Sequence, residues 1–363
     1  MIVGYGSAGK YVLDMATKME QFKNCSFTVV SRTPYAEAIK RINITRIASG
    51  IFELYPQVEY IEGDVNNVAR MSELLAAETP DIIAYTGRYM KGFKYGEFSY
   101  PNEIGYGVWT PMAVVLIKKL MEAVKLSGIF TRVINTSFGD AVSPALASIG
   151  LAPYTSAGNL NHLIPRMKLA YAELTGEDIR DVDVSFAGSH YANTYISKEG
   201  NPKDSPYLLN ISGKTKTKVA DEEILQRCAI PTVSGPERNW MIASDVVVLM
   251  QLMLDKSDKE LKTHAPGPFG LMGGYPLLFR NGEMRLDEVA FSRSEMENVN
   301  KASLACDGIE GIDANGIRFT DEVISKMKSV FDIDYPKTIS VEDCEDFSKC
   351  IERSLMLKNI SKG

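Results

Sequence analysis

Short β-branched runs alternate with longer amphipathic stretches over the first 140 residues, the pattern of successive βαβ units. Strands are predicted at Met1–Val3, Phe27–Val30, Val58–Ile61, Ile82–Ala84 and Arg132–Asn135. Helices are predicted near Gly9–Gln21, Tyr35–Ser49, Val68–Ala77 and Pro111–Ser127. The pattern then changes. A segment of helical period, Asn161–Leu174, leads into an apolar strand, Val182–Ala187, and a loop-like stretch rich in Asn, Pro, Lys and Asp follows at Gly200–Pro206. Next come a long helix at about Asn239–Asp255, a hairpin over Leu277–Met284 with Asn281-Gly282 in its turn, and a helix from Ser292 to about Cys306. Charged, helix-like segments close the chain at Thr320–Val330 and Val341–Leu357. The expected architecture is α/β. A parallel sheet occupies residues 1–140, a mixed α+β domain 141–310, and an extension over 311–363 docks on the outside.

Composition narrows the function. With 363 residues, 45% of them hydrophobic and 24% charged, the chain suits a globular protein with a large core. A net charge of −6 provides no basic field for a phosphate backbone, so nucleic acid is not an expected partner. The greasiest stretch, Val246–Leu254, is too short to span a bilayer. The first residues lack the charged start, apolar run and cleavage site of a secretory signal. Five scattered cysteines without a CxxC read as reduced thiols of a cytoplasmic protein. The three histidines, His162, His190 and His264, share no metal-ligand spacing, so no metal is expected.

The candidate chemistry begins at Gly4-Tyr5-Gly6-Ser7-Ala8-Gly9, a GxGxxG between a predicted strand and helix. Gly4 permits the tight turn, Gly6 lets backbone amides approach a pyrophosphate, and Gly9 lets the helix pack on the strand. Ser7 opens the helix whose N-terminus would face the phosphates. This is the dinucleotide signature of a Rossmann sheet. An NAD enzyme usually carries Asp or Glu at the end of the second strand, and this chain has Ser31-Arg32. With no carboxylate to repel a 2′-phosphate and a guanidinium to grip one, NADP is the expected cofactor and NAD the alternative.

From the fourth strand onward the ordered motifs Tyr85-Thr86-Gly87, Val133-Ile134-Asn135-Thr136, Gly158-Asn159-Leu160-Asn161, Gly188-Ser189-His190, Arg238–Ala243 and Tyr275–Gly282 together resemble the lactate/malate dehydrogenase superfamily. Tyr85-Thr86-Gly87 looks like the family's Thr-Ala-Gly before its mobile coenzyme loop, and Val133-Ile134-Asn135-Thr136 stands where Ser-Asn-Pro is found. Gly158-Asn159-Leu160-Asn161 resembles the Asn-Leu-Asp that opens a catalytic helix, and Gly188-Ser189-His190 the Gly-x-His of the catalytic histidine. Arg238-Asn239-Trp240-Met241-Ile242-Ala243 is similar to Thr-Ser-Trp-Ala-Ile, and Tyr275–Gly282 to the late Val-Pro-x-x-x-Gly-x-Asn-Gly hairpin. The likeness covers roughly residues 1–307.

The resemblance implies hydride transfer between nicotinamide and a 2-keto or 2-hydroxy acid, or a related carbonyl or imine, in a homo-oligomer. It implies Thr86, Gly87 and Asn135 at the cofactor, His190 as proton donor to the substrate oxygen, and Asn161 as the residue that orients His190. Asn161 stands in place of the family's aspartate and cannot stabilise an imidazolium as a carboxylate would. Either another carboxylate supplies that charge or the reaction does not need it. His162 is a second candidate acid, and His264 reads as structural. Arg166, Arg238 and Arg88 are candidates to grip an anionic substrate. The aromatic run Tyr89, Phe93, Tyr95, Phe98, Tyr100, Tyr106 and Trp109 either closes over a bulky substrate or packs internally. Two other readings remain. An extended short-chain reductase needs a Tyr-x-x-x-Lys pair, which this chain lacks. A non-catalytic NADP-binding regulatory protein would tolerate Asn161.

Overall fold

The computed structural model describes residues 1–90 and 92–360, with the side chains of residues 92, 93, 159 and 357–360 outside the description. The expected role of Phe93 and the last three residues of the extension therefore lie outside the described residues. Along the first part of the chain run β1 (Ile2–Val3), α1 (Ser7–Ala16), β2 (Ser26–Ser31), α2 (Tyr35–Gly50), β3 (Gln57–Glu62) and α3 (Val68–Glu78). Then follow β4 (Ile82–Tyr85), α4 (Gly92–Ser99), α5 (Thr110–Ser127), β5 (Arg132–Asn135), α6 (Gly139–Ala147) and β6 (Thr155–Ser156). The six strands pair in parallel in the order β3-β2-β1-β4-β5-β6, the doubly wound arrangement of a dinucleotide-binding sheet. β4 reads Ile-Ile-Ala-Tyr without alternation because all four residues are buried under helices on both faces. β6 joins this sheet from beyond residue 140.

The second half holds α7 (Asn159–Thr175), β7 (Asp183–Ala187), α8 (His190–Glu199), β8 (Leu208–Ser212), α9 (Asp221–Arg227) and α10 (Asn239–Leu254). It continues with β9 (Leu261–Pro266), β10 (Gly274–Arg280), β11 (Glu283–Leu286) and α11 (Arg293–Cys306). β7 and β8 pair antiparallel, and β11-β10-β9 form an antiparallel sheet. The hairpin turn places Asn281 and Gly282 at φ +52° and +77°, the conformation for which Asn-Gly is suited. Ser292 and Glu295 form a capping box that starts α11 where the sequence reading placed it. Among the described residues no helix is long and apolar enough to cross a membrane, and no group of three or more His, Cys, Asp or Glu residues is arranged to hold a metal ion.

The C-terminal segment departs from expectation. It contains β12 (Ile309–Asp313), β13 (Gly316–Phe319), α12 (Asp321–Phe331), β14 (Thr338–Ile339) and α13 (Cys344–Ile360), with the three strands in an antiparallel sheet. It is not an outer appendage. Ile317, Phe319, Met327, Phe331 and Tyr335 are buried in one core with Trp109, Met112 and Ile117. Burying each such side chain contributes about 1.5–3 kcal/mol, so the segment and α5 stabilise each other. The aromatic run explains this docking. Tyr95 and Trp109 are fully buried, and both Phe98 and Trp109 meet Phe331 edge-on, at 5.8 and 6.2 Å between ring centres. That part of the run packs internally, whereas Tyr89, Tyr100 and Tyr106 line the cleft described below.

Candidate active site

The glycine loop is built by close backbone approach. Gly4 has φ +105°, and a Cβ there would come within 2.8 Å of the Gly87 nitrogen. A Cβ on Gly9 would lie 2.0 Å from the Gly4 carbonyl oxygen, so only glycine lets α1 pack against the turn. Thr86 Oγ1 donates to that same carbonyl at 2.8 Å and ties the end of β4 to the loop. Gly6 differs, because nothing lies within 4 Å of a Cβ there. It caps α1 without any side-chain partner for the first-turn amides, leaving them facing open space. These features fit a pyrophosphate.

That space is the head of a cleft of about 1180 Å³. Gly4, Gly6, Ser7, Ser31, Arg32, Thr86 and Gly87 line one end, and Arg88, His162, Arg166, His190, Arg238 and Asp307 line the rest. Ser7 Oγ accepts a hydrogen bond from Asn239 Nδ2 at the start of α10. Ser31 Oγ accepts the Thr33 amide at 3.2 Å and shapes the turn after β2, leaving Arg32 exposed at the rim. Asn135 does not reach the cleft. Its amide is spent on Ser137 and Ser156, accepting from Ser137 N at 2.8 Å and donating to Ser137 O at 2.9 Å and to Ser156 Oγ at 3.2 Å. It holds the loop after β5.

His190 is the first residue of α8, positioned by a serine cluster behind it. Ser189 caps the helix, and Ser189 and Ser205 each bond to Ser303 Oγ, at 2.7 and 2.6 Å. The His190 backbone amide donates to Asp140 Oδ1 at 2.9 Å. The imidazole lies 4.3 Å from the Tyr106 ring and edge-on to Phe138. Its Nδ1 is buried without a hydrogen bond, 3.6 Å from Asp307 Oδ2, which leaves Nε2 as the nitrogen available to the cleft. Burial pushes the Asp140 carboxyl up to about 6, against the pull of His190 and with the help of Asp307.

Asn161 is not the partner of His190. Its Nδ2 donates to Asp245 Oδ1 at 2.7 Å, while Asp245 Oδ2 accepts the Gly158 amide at 2.7 Å. Burial raises Asp245 to about 7, and these two donors oppose the rise. Asn161, Gly158 and Asp245 thus form a structural clasp between α7 and α10. Neither Asp140 nor Asp307 was singled out from the sequence. Asp307 lies at the far edge of the resembling region, and only tertiary contact brings it to His190.

The remaining candidates divide by what already holds them. Arg166 Nη1 donates to the carbonyls of Cys228 and Ile230, both at 2.8 Å, so part of this guanidinium pins the cleft wall. Arg238 has a buried Nε without a partner and, among the described residues, no carboxylate within ion-pair distance. Lys198, one face along from His190, sits 3.3 Å over the Tyr100 ring, and burial together with Arg238 lowers it to about 8. Burial lowers His162 to about 4, so it stays neutral at physiological pH. His264 is lowered to about 3 by burial, and its Nε2 accepts the Phe186 amide at 3.2 Å in a structural role.

No family model and no curated protein matches the sequence. Solved structures do match in shape. The malate dehydrogenase from Plasmodium falciparum superposes with a TM-score of 0.56 at 13% identity, covering 91% of this chain and 97% of that one. The malate dehydrogenase from Aeropyrum pernix gives 0.55 at 14%, covering 84% and 95%. The lactate dehydrogenase from Eimeria maxima, solved with NADH and oxamate, gives 0.55 at 12%, covering 84% and 90%. At such identities the likeness is one of fold: this chain is built as lactate and malate dehydrogenases are, with a Rossmann sheet joined to a mixed α+β half.

Proposed function

We propose that the protein is a nicotinamide-dependent oxidoreductase acting on a small anionic 2-keto or 2-hydroxy acid, or a related carbonyl or imine. The observation that carries this reading is the single cleft joining the glycine loop to His190 and Arg238. A bound nicotinamide supplies or accepts the hydride. His190 gives its Nε2 proton to the substrate oxygen as the carbonyl carbon accepts hydride, and takes a proton back in the reverse direction. Arg238, with no carboxylate within ion-pair distance among the described residues, is the cation that grips the substrate carboxylate, and Arg88 and Lys198 add to a positive wall. Tyr100 and Tyr106 on the same wall support a substrate larger than lactate. Cofactor fluorescence with NADH and NADPH, followed by turnover on a panel of 2-keto acids and imines, tests the proposal. Absence of binding by either nucleotide would overturn it.

NADP is the proposed cofactor and NAD the alternative, because Arg32 stands exposed at the cleft rim beside the end of β2. NADPH is expected to bind tighter than NADH, with Arg32→Ala removing most of a difference of about 1.5–3 kcal/mol. Fluorescence titrations check this, and tighter NADH binding by the unaltered protein contradicts it. A homo-oligomer is also proposed. α2 buries Ala38, Ile42, Thr45 and Ser49 but leaves Ile44 and Ile47, with Ile51 just past its end, at least 61% exposed along one stripe, which a second copy would cover. The few scattered cysteines support a cytoplasmic location.

A further inference from the structure

We propose that Asp307 is the positioning residue that orients and charges His190, the role that Asn161 cannot fill. The inference rests on the reading of His190 as proton donor. Asp307 follows α11 directly and is 2% exposed. Its Oδ1 accepts the Tyr106 amide at 2.9 Å and its backbone oxygen accepts the Gly107 amide at 2.8 Å. A Cβ on Gly105 or Gly107 would stand 2.2 or 2.5 Å from that backbone oxygen. The two glycines let the loop before α5 lie against Asp307 and lock its carboxylate in one orientation.

The remaining oxygen, Oδ2, is buried without a hydrogen-bond partner, and so is His190 Nδ1 3.6 Å away. A buried acceptor and a buried ring nitrogen facing each other are satisfied together when Nδ1 carries a proton. Such contacts are often long before ligand binds and tighten afterwards. Tyr106 and Phe138 flank the ring and restrict its rotation. The other groups around it are Asp140 on α6, bonded to the His190 backbone, Tyr191 on α8, and the cleft arginines Arg88 and Arg238. Asp307 is the carboxylate that meets the ring itself. With Nδ1–H directed to Asp307, Nε2 is the nitrogen that exchanges a proton with the substrate oxygen. Asp307, at the far edge of the region that resembles the dehydrogenase pattern, is thereby a residue of the active site.

Asp307→Asn tests this. Asparagine retains an oxygen for the Tyr106 amide but removes the charge and turns an N–H toward Nδ1, favouring the wrong tautomer. The equivalent change in a serine-protease triad lowers turnover about 10⁴-fold, and a fall of about 10²–10⁴-fold in kcat is expected here, with NADPH affinity within about twofold. Ring-nitrogen NMR of the protein without cofactor should show His190 titrating at lower pH than in the unaltered protein. His162 and His264, held down near 4 and 3, do not interfere above pH 5. Unchanged kcat and an unchanged titration would overturn the proposal. If the variant does not fold, the unaltered protein answers the same question: Nδ1 protonated and Nε2 titrating supports the role of Asp307, and the opposite tautomer ends it. Failure to bind either nucleotide would instead count against the functional reading, because the NMR measurement needs no cofactor.

Discussion

Replacing His190 with alanine is expected to lower kcat and kcat/KM together by about 10²–10⁴-fold while leaving NADPH affinity nearly unchanged. Proton transfer to the substrate oxygen occurs only on the way to the transition state, so its loss costs rate and not ground-state binding. The phosphate loop is held by Thr86, whereas this ring is held by Tyr106, Phe138 and Asp307. Alanine also removes the ring nitrogen that faces Asp307 Oδ2, so a second variant separates chemistry from folding. His190→Gln keeps an N–H donor of similar reach but cannot shuttle a proton, and should be as inactive as alanine with better thermal stability. Steady-state kinetics and fluorescence titration on the two variants read these outcomes. Full activity in either one would remove His190 from the mechanism.

Asn161→Asp is expected to destabilise the protein by about 3–5 kcal/mol at pH 8 without improving catalysis, because it sets a half-buried carboxylate against the buried Asp245 carboxyl and removes that carboxyl's side-chain donor. Asp245 now receives the Asn161 amide and the Gly158 backbone N–H. Aspartate at 161 turns the side-chain donor into an acceptor unless one of the pair is protonated. The sign follows from the raised carboxyl. A group lifted to about 7 in the folded protein from about 4 in the unfolded chain contributes stability that is fully present below about pH 4 and lost as pH rises through about 7. The variant should therefore approach the unaltered protein at pH 5 and fall furthest behind at pH 8. Urea midpoints at the two pH values check this. Equal stability at both, or an upward shift of the His190 titration, would show that residue 161 faces the histidine after all.

These two expectations turn on residues that a reading of the chain alone distributed differently. The alternation of apolar strands with amphipathic helices was enough to place the parallel sheet, since buried parallel strands and their crossover helices leave local signals in period and length. The glycine loop was legible for the same reason: the turn, the close approach of Thr86 and the start of α1 are all dictated within a few residues of Gly4 or by the strand beside it. His190 and Arg238 were legible through motif order and do share the cleft.

What the chain by itself determined is thus local: the strands and helices, the tight Asn281-Gly282 turn, the capping box of Ser292 and the phosphate loop, each set by backbone sterics and hydrogen bonds between near neighbours. The tertiary structure alone decided which polar groups meet. Asn161 and Asp245 are 84 residues apart, and Tyr106 and Asp307 are 201. No periodicity encodes such a pairing, because a carboxylate's partner depends on which elements pack together. The same holds for the C-terminal segment. Its charged, helix-like pattern suggested an extension docked on the outside, yet Phe319, Met327 and Phe331 point inward and meet an aromatic run more than 200 residues earlier. Burying those rings is what carries Asp307 to His190.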